Sequence, residues 1–252
     1  MIAQNYSLHK RKIRPAQQEK ALAFCAALGY NEAGDQMNIL YEDRALVICE
    51  KPAGVLSEEG GMPGLLREAL GCPEIYCVHR LDRETGGLMV YAKTKRAAAA
   101  LSAAIAAGEL EKEYLAVLQG QPEEHGTLRD LLYRDAAKNK SFVVKRMRKG
   151  VREAELRYRR LESREGFSLV RVKLLTGRSH QIRVQFASRG MPLVGDGKYG
   201  SAWRDRGLAL WSTALSFPHP VTGERLSRTL PPPKDWPWSL FDIPAALAEQ
   251  VE

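Results

Sequence analysis

Between Leu128 and Leu175 apolar and charged residues take turns. Ala154, Leu156 and Tyr158 alternate with charged side chains, and so do Val170, Val172 and Leu174. A period of two places one set of side chains on each face of an extended strand. Strands of this kind assemble as an antiparallel sheet with one face wet. Lys112 to Leu118 continues the pattern upstream, with Tyr114, Ala116 and Leu118 on one face. Short strands are also expected at Ile39–Tyr41 and Ala45–Cys49, around the turn Glu42-Asp43-Arg44, and at Leu88–Ala92. Helical segments interrupt the strands. Pro63 to Ala69 reads as a short helix. Thr94 caps an alanine-rich helix that runs to Ala107 and stops at Gly108. Gln181 to Ser188 reads as a third helix. Lys145-Arg146-Met147-Arg148-Lys149-Gly150 reads as a hairpin tip loaded with cations, although such runs are usually just solvated loops. The Pro- and Trp-rich stretch from Phe217 to Trp238 is expected to wrap the surface before a final helix.

With 252 residues the chain suits one large domain plus an appendage. Residues 1–36 read as an N-terminal arm, with a basic run at His9–Arg14 and a short helix over Gln17–Leu28. Residues 37–252 form the main domain. At 44% hydrophobic and 27% charged, the composition is that of a soluble globular protein with a real core. A net charge of +8 favours a polyanionic partner, nucleic acid before an acidic membrane surface. The four cysteines, Cys25, Cys49, Cys72 and Cys77, contain no CxxC pair and read as buried thiols of a reducing cytoplasm. No apolar run approaches the length of a membrane span, and the N-terminus has no signal-peptide core. There is no nucleophile elbow, no P-loop and no HExxH motif. His180 and His219 lack ligand-spaced partners, and Gly54–Gly64 is not a dinucleotide loop. An enzyme built from this sequence is expected to work without metal or cofactor.

Three segments carry the remaining chemistry. In His79-Arg80-Leu81-Asp82-Arg83-Glu84-Thr85-Gly86-Gly87 one carboxylate stands between two arginines, and a carboxylate beside fixed cations stays ionised. Glu111 to Leu118 carries Tyr114. Thr176 to Arg183 carries Arg178, His180, Gln181 and Arg183, and Gly190 to Asp196 follows. Each has a bland alternative: ordinary surface ion pairs, a core aromatic, a turn residue at Asp196.

Together and in this order the segments resemble the RluA-type family of RNA pseudouridine synthases. The family's H-R-L-D-x-x-T-S-G is matched by His79–Gly87 at all but one specified position. Its G-R-[ST]-H-Q-[IL]-R-V-H is matched by Gly177–Val184, with Gln185 in place of the last His. Its G-x-P-[IL]-x-G-D-x-x-Y is matched by Gly190–Tyr199. The opening, Leu40 to Gly54 with Lys51-Pro52-Ala53-Gly54, and the ending, Leu215 to Pro220, are also similar. Gly86 departs from the family's Ser, which suggests altered loop rigidity, and Leu210-Trp211-Ser212 replaces a common L-H-A. No segment resembles the S4 RNA-binding module.

The resemblance implies an α+β domain on a long, bent, mainly antiparallel mixed sheet with surrounding helices and loops. It implies isomerisation of uridine to pseudouridine in structured ribosomal or transfer RNA, without a cofactor. The thiols point to a cytoplasmic location, and a groove that must admit folded RNA makes a monomer the default expectation. The resemblance assigns catalysis to Asp82, to Arg183 paired with it, and to Tyr114 stacked on the uracil. It implies that Arg80 fills the gap left in the RNA by the extruded base. RNA contacts would extend over His79, Arg178, His180 and Gln181, with phosphates held by Lys138, Lys140, Lys145, Arg146, Arg148 and Lys149. Two rival readings stay open at this point: an RNA-binding chaperone without catalysis, and a nucleobase glycosylase that releases free uracil.

Overall fold

The structure, a computed structural model, describes residues 37–248. The expected arm over residues 1–36 and Cys25 lie outside the described residues. Eleven strands form a single sheet in the order β1-β2-β4-β10-β5-β9-β8-β6-β7, with β3 added beside β4 and β11 beside β10. The strands are β1 (Ile39–Glu42), β2 (Leu46–Lys51), β3 (Tyr76–Cys77), β4 (Gly86–Ala92), β5 (Glu111–Gln119), β6 (His125–Asp135), β7 (Lys140–Val144), β8 (Val151–Arg164), β9 (Phe167–Leu174), β10 (Leu210–Pro218) and β11 (Arg225–Thr229). Every named pairing is antiparallel except β4 with β10, which run parallel and meet only at Gly86–Trp211 and Gly87–Ser212.

That short parallel seam explains the two glycines. A Cβ on Gly87, where φ is +114°, would lie 2.3 Å from the Ser212 carbonyl oxygen. A Cβ on Gly86 would lie 2.4 Å from Cζ3 of the Trp211 ring. The two family departures therefore touch each other. The Trp211 ring occupies the space that a side chain at 86 would need, so the two departures exchange volume across the seam.

Helices cover both faces. Helices α1 (Met62–Leu70) and α3 (Gln181–Ala187) lie on one side. There Met62, Leu65, Leu66, Ile182 and Phe186 join Tyr91, Tyr114, Ala116, Val170 and Val172 in one core cluster. Helices α2 (Lys95–Ala106) and α4 (Ile243–Ala248) lie on the other. There Ala97, Leu101, Trp238, Phe241 and Ala246 pack with Leu88, Val90, Leu115, Val117 and Leu169. The Thr94 hydroxyl accepts from the Ala97 N–H at 3.1 Å, as an N-cap should, and Gly108 leaves the helix at φ +75°.

Three expectations need correction. Only the outer strands keep a wet face. β9 is buried on both sides through its centre, because α4 lies on the side that the alternation assigns to solvent, and β5 beside it is buried through its centre as well. Arg171 is buried there, bonded to the Glu113 carboxylate and to the Ala246 and Leu247 carbonyls. Second, Lys145–Gly150 is not a hairpin tip. β7 and β8 both pair with β6, on opposite sides, so this loop crosses over β6, and Arg148 lies 5.0 Å from the centre of the Tyr133 ring. The hairpin turn is Ala136–Asn139. Third, the tail does more than wrap: β11 pairs with β10 before the chain reaches Trp238. Of the described cysteines only Cys49 is fully buried, while Cys72 and Cys77 are partly exposed. Among the described residues no helix is long and apolar enough to cross a membrane.

Candidate active site

Asp82 lies in the loop between β3 and β4, and the segment after β2 splints that loop from both sides. Upstream, the buried Ser57 hydroxyl donates to the Leu81 carbonyl at 2.9 Å and accepts from the Leu81 N–H at 3.0 Å. Downstream, the Arg83 carbonyl accepts from the Gly54 N–H at 2.8 Å and from Lys51 Nζ at 3.1 Å. Lys51 Nζ also donates to the carbonyls of Pro52 and Val55. Burial pulls this ammonium down to about 8, although Glu84 and Asp82 favour its charge. The Thr85 N–H closes the turn on the Asp82 carbonyl at 3.0 Å. The backbone on either side of Asp82 is thus fixed, while its side chain keeps 23% of its surface open.

The open carboxylate meets Arg183, whose Nη1 donates to Asp82 Oδ2 at 3.1 Å. Arg183 projects from α3 and is itself gripped from behind. Its Nε and Nη2 donate to the two oxygens of the wholly buried Asp196 at 2.7 and 2.8 Å. A bidentate fork of this kind fixes the plane of the guanidinium as well as its position. Burial works against its charge, but the hydrogen bonds and charges of Asp196 and the charge of Asp82 outweigh it and hold the Arg183 pKa above its usual value. The Tyr199 ring stacks against the guanidinium with its centre 5.3 Å away.

Tyr114 comes from β5, the centre of the sheet. Its pKa is raised, first by burial and then by the charge of Asp82, so at neutral pH it presents a neutral phenol beside the carboxylate. A carboxylate on a rigid loop, a pre-aimed guanidinium and a neutral aromatic ring can together stabilise charge developing on a sugar while a flat base leaves it.

The other sequence candidates divide. His180 takes a left-handed backbone conformation at φ +55°, uncommon for a residue with a Cβ. Its Nδ1 lies 2.9 Å from the Tyr199 hydroxyl, which also accepts from the Ser141 N–H at 2.8 Å. The buried Gln181 is spent internally, bonded to Thr176, to the Arg178 N–H and to the Glu155 carbonyl. Arg178 is exposed and donates to the Glu153 carbonyl. His79 is buried, with Nε2 accepting from the Val90 N–H at 3.1 Å. Arg80 is exposed and paired with Glu58. Lys140 folds back over the Tyr199 ring at 4.9 Å, so it stands at the site. Lys138, in the β6–β7 turn, and Lys145, Arg146, Arg148 and Lys149, in the loop that crosses β6, are exposed. Gln185 donates to the Leu128 carbonyl and to Asp130, a brace between α3 and β6. Asp196 was weighed from sequence only as a turn residue, and Tyr199, Lys51 and Ser57 received no role there. Asp196 and Tyr199 are fixed letters of the third motif and Lys51 of the opening, and that is the signal that could have found them.

The chain is a member of the RNA pseudouridylate synthase family, whose model matches residues 45–188. It is 35% identical over 224 residues to ribosomal large subunit pseudouridine synthase D of Xanthomonas campestris pv. campestris, covering 79% of this chain and 67% of that protein. It is equally similar, at 35% over 230 residues, to the protein of that name from Pseudomonas aeruginosa, covering 81% and 71%. The solved structure of human RNA pseudouridylate synthase domain containing 1 superposes with a TM-score of 0.68 at 25% identity, over 79% of this chain and 84% of that one. The protein is an RNA pseudouridine synthase.

Proposed function

We propose that this enzyme isomerises specific uridines of ribosomal RNA, with Asp82 as the catalytic carboxylate and residues 37–252 as the catalytic domain. Ribosomal RNA is favoured over transfer RNA by the names of the relatives. The observation that carries the catalytic assignment is the chain of contacts from Asp196 through Arg183 to Asp82, which aims one partly open carboxylate from an otherwise buried pair.

In the reaction the bond from ribose C1′ to N1 of uracil breaks, the base turns, and C1′ bonds to C5. The proton on C5 is lost, N1 gains one, and the RNA keeps its mass. Asp82 either attacks or stabilises the electron-poor centre while the base is free. Arg183 orients Asp82 and balances its charge before substrate arrives. The Tyr114 ring stacks on the uracil and keeps it from escaping, and its hydroxyl, a neutral phenol at rest, takes up a proton only as it gives its own away. Arg80 fills the gap in the RNA, since extruding a base costs a few kcal/mol of stacking. Lys138, Lys140, Lys145, Arg146, Arg148 and Lys149 hold phosphates, with Arg178 at the rim of the groove. The enzyme works as a monomer in the cytoplasm.

The test is a carbodiimide map of pseudouridines in total RNA from cells with the gene, without it, and with Asp82→Asn. Specific sites should disappear in the deletion and stay absent with Asp82→Asn. Pseudouridine at undiminished level with Asp82→Asn would refute the assignment. Equal rescue of a growth defect by wild type and Asp82→Asn would point to a chaperone, and release of free uracil to a glycosylase.

A further inference from the structure

The splint that fixes the Asp82 loop also reaches Arg80. Ser57 holds the backbone of Leu81, the residue between Arg80 and Asp82, by both its N–H and its carbonyl. The Ser57 carbonyl in turn accepts from the buried Tyr91 hydroxyl at 3.0 Å. The next residue, Glu58, has its own carbonyl tied to the Gly61 N–H. Its carboxylate meets Arg80 Nη1 at 3.0 Å, with the two side chains 47% and 60% exposed. Both backbones are anchored, so the pair forms with little loss of freedom beyond the two side chains. A guanidinium engaged by a carboxylate on its own protein must leave that carboxylate before it enters an RNA stack.

We propose that Glu58 is a positioning residue that parks the Arg80 guanidinium against the 56–61 loop until RNA draws it off. The inference rests on the reading of Arg80 as the group that replaces the extruded uridine. Parking keeps a flexible cation from wandering over Asp82 in the free enzyme, and it places a small, fixed toll on base extrusion. An exposed pair of this geometry shifts its equilibrium by roughly two- to five-fold. It is also screened by salt, which separates it from a packing effect. The neighbouring Glu59 provides the control: it carries the same charge on the same loop but pairs with Arg67 at 2.7 Å.

The experiment measures single-turnover tritium release from large-subunit ribosomal RNA transcribed with [5-³H]uridine, using the full chain. Glu58→Gln should raise the rate about two- to five-fold above Glu59→Gln at low salt. The excess should vanish at high salt and in an Arg80→Ala background. Equal rates for Glu58→Gln and Glu59→Gln, or an excess that persists without Arg80, overturn the parking role while leaving the enzyme's function standing. If Arg80→Ala alone fails to slow release, the role of Arg80 falls and the parking role with it. If the wild type releases no tritium, the functional reading itself has failed.

Discussion

Gly86→Ser should cost this protein about 2–4 kcal/mol of stability, and Trp211→His made alongside it should restore part of the loss. The new Cβ would stand 2.4 Å from Trp211 Cζ3 and 2.8 Å from Cε3. That is about 1 Å inside ordinary carbon contact, so the ring or the strand must move. The ring is 6% exposed and pinned, because its Nε1 donates to the Leu230 carbonyl at 3.2 Å. Overpacking a filled core costs about 1–3 kcal/mol, and pulling Trp211 off Leu230 adds about 1 kcal/mol. Trp211→His alone leaves a partial cavity, worth about 2–3 kcal/mol at such a site. In the double variant the serine occupies space that the ring has vacated, so its cost should fall short of the sum of the two single costs by at least about 1 kcal/mol. Urea unfolding of the four purified proteins measures this cycle. Gly86→Ser within about 0.5 kcal/mol of wild type, or two costs that simply add, would refute the volume exchange.

Asp196→Asn removes the charge behind Arg183 but keeps the shape. It should destabilise the protein by about 2 kcal/mol in thermal or urea unfolding, since the buried guanidinium keeps only the partly open Asp82 as an ionic partner, and should lower activity as Arg183 loses its aim. His79 sets a pH limit. Burial, with the charge of Lys112, pushes it down to about 3, so between pH 6.5 and 3 the unfolded chain takes up a proton that the folded one refuses. Stability from this source is full above pH 6.5 and declines below it by up to about 1.4 kcal/mol per unit; His79→Gln should flatten that slope in unfolding titrations. Changing Lys145, Arg146 and Lys149 together to Gln should reduce the slope of log K against log salt by about 2 in filter binding to ribosomal RNA, and an unchanged slope would remove them from the phosphate track.

The local elements were legible because their signals are local. Thr94 and Gly108 bound α2, and the alternation through Tyr114 marks β5. Asp82 and Arg183 were brought together by matching motifs, and the structure sets them in contact. What sequence did not reveal is pairing at a distance. Asp196 follows Gly195 as a turn residue would, and only the fold shows its carboxylate clamped on Arg183. The order β8-β6-β7 depends on which strand takes which edge of β6, and alternation says nothing of that. β9 reads as half-wet because Arg171 and Lys173 interrupt it, yet α4 covers Arg171. β11 is so polar, Arg225 to Thr229, that nothing marks it before it is seen beside β10.

The position of β10 bears on how the enzyme comes into being. This strand, begun at Leu210, lies between β4 and β5. It separates the strand that follows Asp82 from the strand that carries Tyr114. A ribosome delivers the N-terminal segments first, so both halves of the sheet leave the tunnel before the piece that joins them. The growing chain therefore holds every reacting group before β10 joins the two halves of the sheet, and catalytic competence arrives as a late event of biosynthesis.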